Sequence, residues 1–239
     1  MTNVIDSSFV ILITGSRKGI GYQLVQYYLS QGCTVIGCSR SESKLNKENY
    51  KHYTLDVSNE EEVVKMFLEI RKNFGKLDVL INNAGMASLN HSLLTPVSTL
   101  KKLFETNFLG TFISSRQAVK LMKKNKFGRI INFSTVAVPL NLEGEAIYAS
   151  SKSAVEQFTK IFAKEVSPMG ITVNAIGPTP IQTDLIKAVP KTKIDELLSQ
   201  QAIKRLGEFE DVINVINFYI NRNSNFITGQ TIYLGGVFK

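Results

Sequence analysis

The sequence predicts an α/β fold: a doubly wound parallel sheet of seven strands in a single domain. Apolar, strand-like runs at 9–14, 34–38, 52–55, 78–82, 129–133, 171–176 and 231–234 alternate with amphipathic helical stretches at about 20–31, 59–74, 99–125, 148–167 and 208–221. Strands that alternate with helices make parallel sheets covered on both faces. No linker, repeat or low-complexity tract breaks the alternation, so residues 1–239 read as one domain. With 239 residues, 44% of them hydrophobic, the chain is long enough to bury a sizeable core.

The first strand, Phe9-Val-Ile-Leu-Ile13, runs into Thr14-Gly-Ser-Arg-Lys-Gly-Ile-Gly21 and then into Tyr22-Gln-Leu-Val-Gln-Tyr-Tyr-Leu29, whose apolar positions recur at helical spacing. Strand, glycine turn and helix together aim free backbone N–H groups and the positive helix end at a pyrophosphate. Gly15 suits the positive φ of a tight turn, and Gly19 and Gly21 allow close approach of phosphate and strand to the helix start. The spacing is G-x-x-x-G-x-G, not the commoner G-x-G-x-x-G, so the turn needs support from the rest of the chain.

The second strand, Thr34-Val-Ile-Gly-Cys38, is followed by Ser39 and Arg40. In a dinucleotide-binding sheet this strand end reaches the adenosine ribose, where a carboxylate would hold the 2′-hydroxyl of NAD. Ser39 holds that place here, with Arg40 beside it and Lys18 in the glycine turn. A guanidinium grips a 2′-phosphate through paired bonds, which favours NADP(H) over NAD(H); the plainer role for Arg40 is a solvated loop charge. The third strand ends in Leu55-Asp56-Val57, where the carboxylate suits an adenine amino group or a helix N-cap.

The fourth strand leads into Asn82-Asn-Ala-Gly85, which both bonds the chain and leaves room for a flat ring, or is an ordinary turn. Asn107 and Gly110 interrupt an otherwise amphipathic helix, a local cost of about 1 kcal/mol for the glycine relative to alanine that marks either a kink with a use or a harmless packing glycine. The fifth strand ends in the hydroxyls Ser134 and Thr135, and Tyr148 and Lys152 follow at i, i+4 on one helix face. An ammonium beside a phenol favours the phenolate. Hydroxyl, phenol and amine make a general acid–base set for interconverting a carbonyl and an alcohol.

The net charge of +8 and pI near 9.4 suit an acidic partner or a phosphorylated cofactor. With no Trp and no dense basic tract interleaved with aromatics, nucleic acid is not expected as a partner. Cys33 and Cys38 have an odd separation in one strand region, so they point to opposite faces and form no disulfide, as in a reducing compartment. Apolar runs are too short for a membrane span and no signal peptide is seen, so a cytoplasmic protein is expected. His52 and His91 are isolated and read as surface or loop residues; no Cys/His/Asp cluster has metal-ligand spacing.

Taken in order, Thr14–Gly21, Asn82-Asn-Ala-Gly85, Asn107, Ser134-Thr135, Tyr148…Lys152 and Ile171-Thr-Val-Asn-Ala175 resemble the short-chain dehydrogenase/reductase family, in particular its members related to 3-oxoacyl-[acyl-carrier-protein] reductase. Lys204-Arg-Leu-Gly-Glu-Phe-Glu-Asp211 and Phe226-Ile-Thr-Gly-Gln230 extend the likeness to nearly the whole chain. The resemblance implies a Rossmann-type sheet and a tetrad of Asn107, Thr135, Tyr148 and Lys152. In it Tyr148 donates a proton to the substrate carbonyl, Lys152 bonds the nicotinamide ribose and holds down the tyrosine pKa, and Asn107 keeps a water at the bent helix. It implies cofactor contacts at Gly15, Ser16, Arg17, Lys18, Gly19, Ile20 and Gly21 around the phosphates, and at Arg40 for the 2′-phosphate. Asp56 and Val57 would meet the adenine, and Asn83, Ala84 and Gly85 the ribose side. Pro178 would join Ile181 and Thr183 near the carboxamide. Relatives pair the 99–125 and 148–167 helices into tetramers, so a homo-oligomer, a tetramer, is expected.

Three departures from the family pattern stand out. Thr135 replaces the usual serine, and its β-branch restricts χ1, so reduced or narrower activity is expected. Pro178-Thr179-Pro180 replaces Pro-Gly and stiffens the loop beside the nicotinamide. Leu234 stands before Gly235-Gly236 where an acid is usual.

The segment at about 181–204 is expected to form a substrate lid, mixing Leu185, Ile186, Val189, Ile194, Leu197 and Leu198 with Lys187, Lys191 and Lys193, whose charges face an acidic carrier, a phosphate or only solvent. The leading substrate is a small-molecule or carrier-bound carbonyl compound, a 3-oxoacyl thioester first. The alternatives are a sugar, polyol or other small alcohol, and a cofactor-binding sensor with weak chemistry. Lys123, Lys124, Lys126 and Arg129 form a basic cluster for an acidic carrier, although Met169 stands where a further basic residue is expected.

Overall fold

Strand residues alternate between two apolar layers, as period-2 geometry requires of strands buried on both faces. Val10, Leu12, Leu80, Ile130 and Val173 point into one core with Met66, Phe67, Ile113 and Val166. Ile11, Ile13, Ile81, Ile131 and Ile176 point into the other with Leu24, Tyr28, Val212 and Ile216. The computed structural model describes residues 5–182 and 189–238. Its strands are β1 (Val10–Thr14), β2 (Thr34–Ser39), β3 (Tyr50–Thr54), β4 (Val79–Asn82), β5 (Gly128–Phe133), β6 (Ile171–Gly177) and β7 (Thr231–Tyr233). They form one parallel sheet in the order β3-β2-β1-β4-β5-β6-β7. The order reverses between β1 and β4, and the crevice beyond the carboxyl ends of those strands is where such sheets take ligands.

The helices are α1 (Gly19–Ser30), α2 (Glu60–Phe74), α3 (Val97–Phe104), α4 (Gly110–Met122), α5 (Ala137–Leu140), α6 (Ala146–Val166), α7 (Lys191–Ser199) and α8 (Phe209–Ile220). α2 shows why such segments become helices. Asn59 caps it by accepting from Glu62 N–H, three glutamates stand in its first turn, and Gly75 ends it at φ 70°. The continuous helix expected at 99–125 is divided. Between α3 and α4 lies a π-turn, Glu105–Leu109, where Gly110 N–H bonds the carbonyl of Glu105 five residues back. The widened turn buries the side chain of Asn107, a kink that its polarity signalled. α5, too short for a periodic pattern, and α7, read only as lid, were not anticipated as helices.

Cys33 and Cys38 are free and buried, in the two different cores. Among the described residues, no helix is long and apolar enough to cross a membrane. Arg129 leaves the surface cluster in which its sequence neighbours place it. It starts β5 at the sheet edge opposite the carboxyl ends and is 2% exposed; its guanidinium bonds the carbonyls of Gly128 and Arg222 and stacks 4.5 Å from the Phe127 ring centre. Burial and the nearby Arg222 charge push its pKa down to about 10.

α1 and α8 are joined by a buried polar clasp. Tyr28 Oη donates to Asn217 Oδ1 at 3.0 Å, and Asn217 Nδ2 donates to Tyr27 Oη at 2.8 Å. Asn217→Leu leaves the buried Tyr28 hydroxyl without this acceptor and is expected to cost about 2 kcal/mol in urea unfolding. Adding Tyr28→Phe to that variant should recover part of the loss; a further loss equal to that of Tyr28→Phe alone would show that the two groups are uncoupled.

Candidate active site

A cavity of about 410 Å³ runs along the carboxyl ends of the strands, from the glycine turn after β1 to α7. Gly15 (φ 69°) and Gly19 (φ 58°) take left-handed conformations that favour glycine. A Cβ on Gly15 would stand 2.8 Å from Ala84 Cα, and one on Gly21 would collide with the Gly15 carbonyl. No side chain caps the start of α1 and its first turn holds no acid. The N–H groups of that turn and the positive helix end are therefore left for an anion. Gly15, Arg17, Lys18, Gly19 and Ile20 line the cavity; Ser16 and Gly21 are buried away from it. Asn83 also works structurally: its Nδ2 donates to the carbonyls of Thr14 (2.9 Å) and Gly15 (3.2 Å), while Ala84 N–H donates to Thr14 Oγ1. Ala84 and Gly85 line the cavity beside it.

At the far end Ser39, Arg40, Ser41, Asp56 and Val57 form the wall. Asp56 is not the cap of α2, since Asn59 is; its Oδ1 accepts from the N–H and hydroxyl of Ser58. His52, which the sequence left as an ordinary surface or loop residue, is half-buried here and bonded on both ring nitrogens. The signal that could have found it is Gly37, a side-chain-free position on β2 opposite His52 in the β3 register.

Tyr148 and Lys152 project from α6 into the middle of the cavity, facing Thr135 at the end of β5. Thr135 bonds the Tyr148 hydroxyl, and its Oγ1 also accepts from Ala137 N–H at 3.2 Å. Ser134 turns the other way, donating to Glu156 Oε1, which also accepts from Tyr233 Oη at 2.7 Å. Lys152 is 5% exposed and its Nζ donates to the Phe133 carbonyl at 2.8 Å. Burial pushes its pKa down to about 8. The Tyr148 hydroxyl goes up to about 12, because burial outweighs the Thr135 bond and the Glu145 charge adds to the rise. In the protein alone the ammonium therefore does not hold the phenol down; the phenol stays protonated at neutral pH, as a proton donor must.

Asn107 does not line the cavity directly. Its Nδ2 donates to Met86 O and to Ser151 Oγ, each at 2.9 Å, and its Oδ1 accepts from Met86 N–H at 2.8 Å. It thereby fixes the segment after β4 against α6. A Cβ on Gly85 would lie 3.4 Å from both Asn107 Oδ1 and Lys152 Nζ, in ordinary van der Waals contact, so this glycine marks how near the segment after β4 passes to the amine.

The remaining wall carries an apolar stretch of Met86, Leu89, Leu142, Val189, Ile194 and Leu197, the last two on α7, with Glu143, Glu145, Lys193 and Glu196 beside it. Pro178, Thr179, Pro180 and Ile181 close the side by β6. Thr179 is buried and accepts from Gln201 Nε2 at 2.5 Å, and Gly207 N–H donates to the Pro180 carbonyl. Thr183 falls outside the described residues, as do Leu185, Ile186 and Lys187 of the expected lid. Lys193 pairs with Glu196 along its own helix.

The model of the short chain dehydrogenase family matches residues 9–194. The 3-oxoacyl-[acyl-carrier-protein] reductase FabG of Vibrio cholerae is 33% identical, covering 95% of this chain and 96% of its own. Among solved structures, ElxO with NADP bound superposes with a TM-score of 0.87 at 34% identity, over 95% of this chain and 97% of that one. The aldohexose dehydrogenase of Thermoplasma acidophilum gives 0.87 at 27% identity, over 96% and 94%.

The buried amine makes a stability prediction. The unfolded chain holds the Lys152 proton up to its ordinary pKa of 10.5, whereas the folded chain releases it near 8. Between those values the unfolded state binds more protons, so folding stability rises with pH through this window. In urea unfolding at about pH 7 and about pH 10, the wild type should gain on Lys152→Met as pH rises; equal changes in both chains would mean that the amine is not desolvated.

Proposed function

The chain belongs to the short-chain dehydrogenase family of oxidoreductases, and we propose that it reduces a carbonyl compound to a secondary alcohol with NADPH, a 3-oxoacyl thioester being the leading substrate. The observation that carries this reading is the position of Thr135, Tyr148 and Lys152 midway along one cavity, between a cationic wall and an apolar one. The cationic end fits a phosphorylated dinucleotide: positive-φ glycines, an uncapped helix start, and Arg17, Lys18 and Arg40. Gly15, Gly19 and Ile20 would hold its pyrophosphate, Arg40 the 2′-phosphate, Asp56 and Val57 the adenine, and Ala84, Gly85, Pro178 and Ile181 the part nearer the nicotinamide. When bound, this group supplies the hydride to the carbonyl carbon.

The chain's own residues do the rest. Thr135 and Tyr148 hold the carbonyl oxygen between two hydroxyls, and the Tyr148 phenol delivers its proton as negative charge grows on that oxygen. The Lys152 ammonium, one turn along α6, then faces a phenolate whose charge it stabilises. Asn107 acts through Met86 and Ser151, fixing the two segments that carry Gly85 and Lys152. Thr135 supplies the hydroxyl that serine supplies in the family pattern, with fewer rotamers open to it.

The apolar wall of Met86, Leu89, Leu142, Ile194 and Leu197 supports an acyl chain, and α7 with its flanking segments is read as the lid over it. A sugar or polyol is the second reading, supported by the aldohexose dehydrogenase neighbour and by Glu143 and Glu145 on the same cavity. For the carrier-bound form of the substrate, Arg129 gives no support, since its guanidinium is engaged internally. A homo-oligomer, a tetramer, is supported by the aromatic face of Phe108, Phe112, Phe158 and Phe162 on the π-turn, α4 and α6, flanked by Leu109 and Ile161, 39% and 50% exposed. Free, buried cysteines agree with a cytoplasmic location.

NADPH oxidation is to be followed with acetoacetyl thioesters beside a panel of sugars and ketones. Tyr148→Phe should lower turnover by at least about 10³-fold while NADPH affinity stays near that of the wild type. Retained turnover would falsify Tyr148 as the acid. Arg40→Asp should move the preference from NADPH towards NADH by about tenfold or more; an unchanged preference removes Arg40 from the 2′-phosphate.

A further inference from the structure

We infer that His52 is a positioning residue for recognition of the cofactor's 2′-phosphate, holding the loop after β2 that carries Arg40; this rests on the NADPH reading above. The two segments bound the cationic end of the cavity, Arg17 and Lys18 on one and Ser39, Arg40 and Ser41 on the other. His52 lies between them. Its Nε2 lies 3.1 Å from the Ser41 carbonyl and 3.1 Å from Ser39 Oγ, and its Nδ1 lies 2.9 Å from Tyr50 Oη and 3.5 Å from Ser16 Oγ.

The chemistry of the partners fixes the tautomer. A carbonyl only accepts, so Nε2 carries the proton and Nδ1 accepts from the Tyr50 hydroxyl. Ser39 Oγ donates to the same Ser41 carbonyl at 2.7 Å, and Ser16 Oγ donates to the Cys38 carbonyl at 3.3 Å. With these protons assigned Ser16 only packs against the ring, and the hydrogen bonds of His52 run across the end of β2 to both residues flanking Arg40. Gly37 makes this arrangement possible, because a Cβ there would collide with Tyr50 Oη and Ser16 Oγ. Burial keeps the imidazole pKa below its ordinary value, against opposing effects of the Ser41 carbonyl and the Glu42 charge, so the neutral ring is the working form. The ring's hydrogen bonds go to the loop backbone and to the hydroxyls of Ser39 and Tyr50.

The 2′-phosphate is the part of the cofactor that distinguishes NADPH from NADH, and the loop that His52 holds carries the guanidinium proposed to meet it. Loosening that loop should thus cost NADPH selectively. His52→Phe keeps a ring but no polar atoms; it should raise the NADPH dissociation constant about tenfold while that for NADH stays within about twofold. His52→Gln keeps a donor for the Ser41 carbonyl and should restore most of the difference. Equal weakening of both cofactors, no weakening, or no rescue by Gln overturns the inference.

A measurement on the wild type guards against a variant that does not fold. The chain has two histidines, so the ring nitrogens of His52 are separable by NMR. Adenosine 2′,5′-bisphosphate should shift them and adenosine 5′-monophosphate should not; equal shifts with both, or none with either, also overturns it. If the wild type binds NADH as tightly as NADPH, the cofactor reading itself fails and this inference falls with it.

Discussion

The constraint on which the site depends is the burial of one ammonium group. Lys152 has a backbone carbonyl, that of Phe133, as its hydrogen-bond partner, and burial makes its charged form costly. A charge in that position is kept only if its surroundings are held open and polar. Asn107 supplies the fixed scaffold by taking both backbone polar groups of Met86 and bonding Ser151, the residue before the amine. The π-turn that carries Asn107 is a local irregularity with a use, since an unbroken helix would place that side chain on a different face. Amine, amide and the Met86 backbone thus form one device built from three separate segments.

Much of the architecture was legible because it rests on periodicity. The seven strands and most helices announce themselves through apolar alternation, and their ends differ from expectation by a residue or two. The glycine turn, Tyr148, Lys152 and Thr135 were legible as spacing, and the fold brings them to one cavity. Other features were not, because they depend on which strands become neighbours. Nothing near His52 in sequence hints at Ser16 or Ser39; only the register of β2 against β3 brings them together. Arg129 misleads for the same reason: its lysine neighbours suggest surface, whereas strand geometry turns it inward onto Phe127. Ser16 likewise sits in the glycine turn that lines the cavity but is itself turned to β2.

The departures from the family pattern also gain a physical meaning. Thr179, in the place of a glycine, is absorbed as a buried acceptor for Gln201, which ties the loop after β6 to the segment following α7. Thr135 remains at the cavity with its hydroxyl on Tyr148. The loop is thus anchored by a buried hydrogen bond as well as by its two flanking prolines.

The topology has a consequence for how the chain comes into being. β1 leaves its second edge for β4, and the Asn83 amide that secures the turn after β1 closes on Thr14 only across 69 positions of chain. At ribosomal rates that partner arrives some seconds, roughly 4–14, after the first strand has been made. For that interval the nascent chain carries a strand with an open edge and a glycine turn without its clasp.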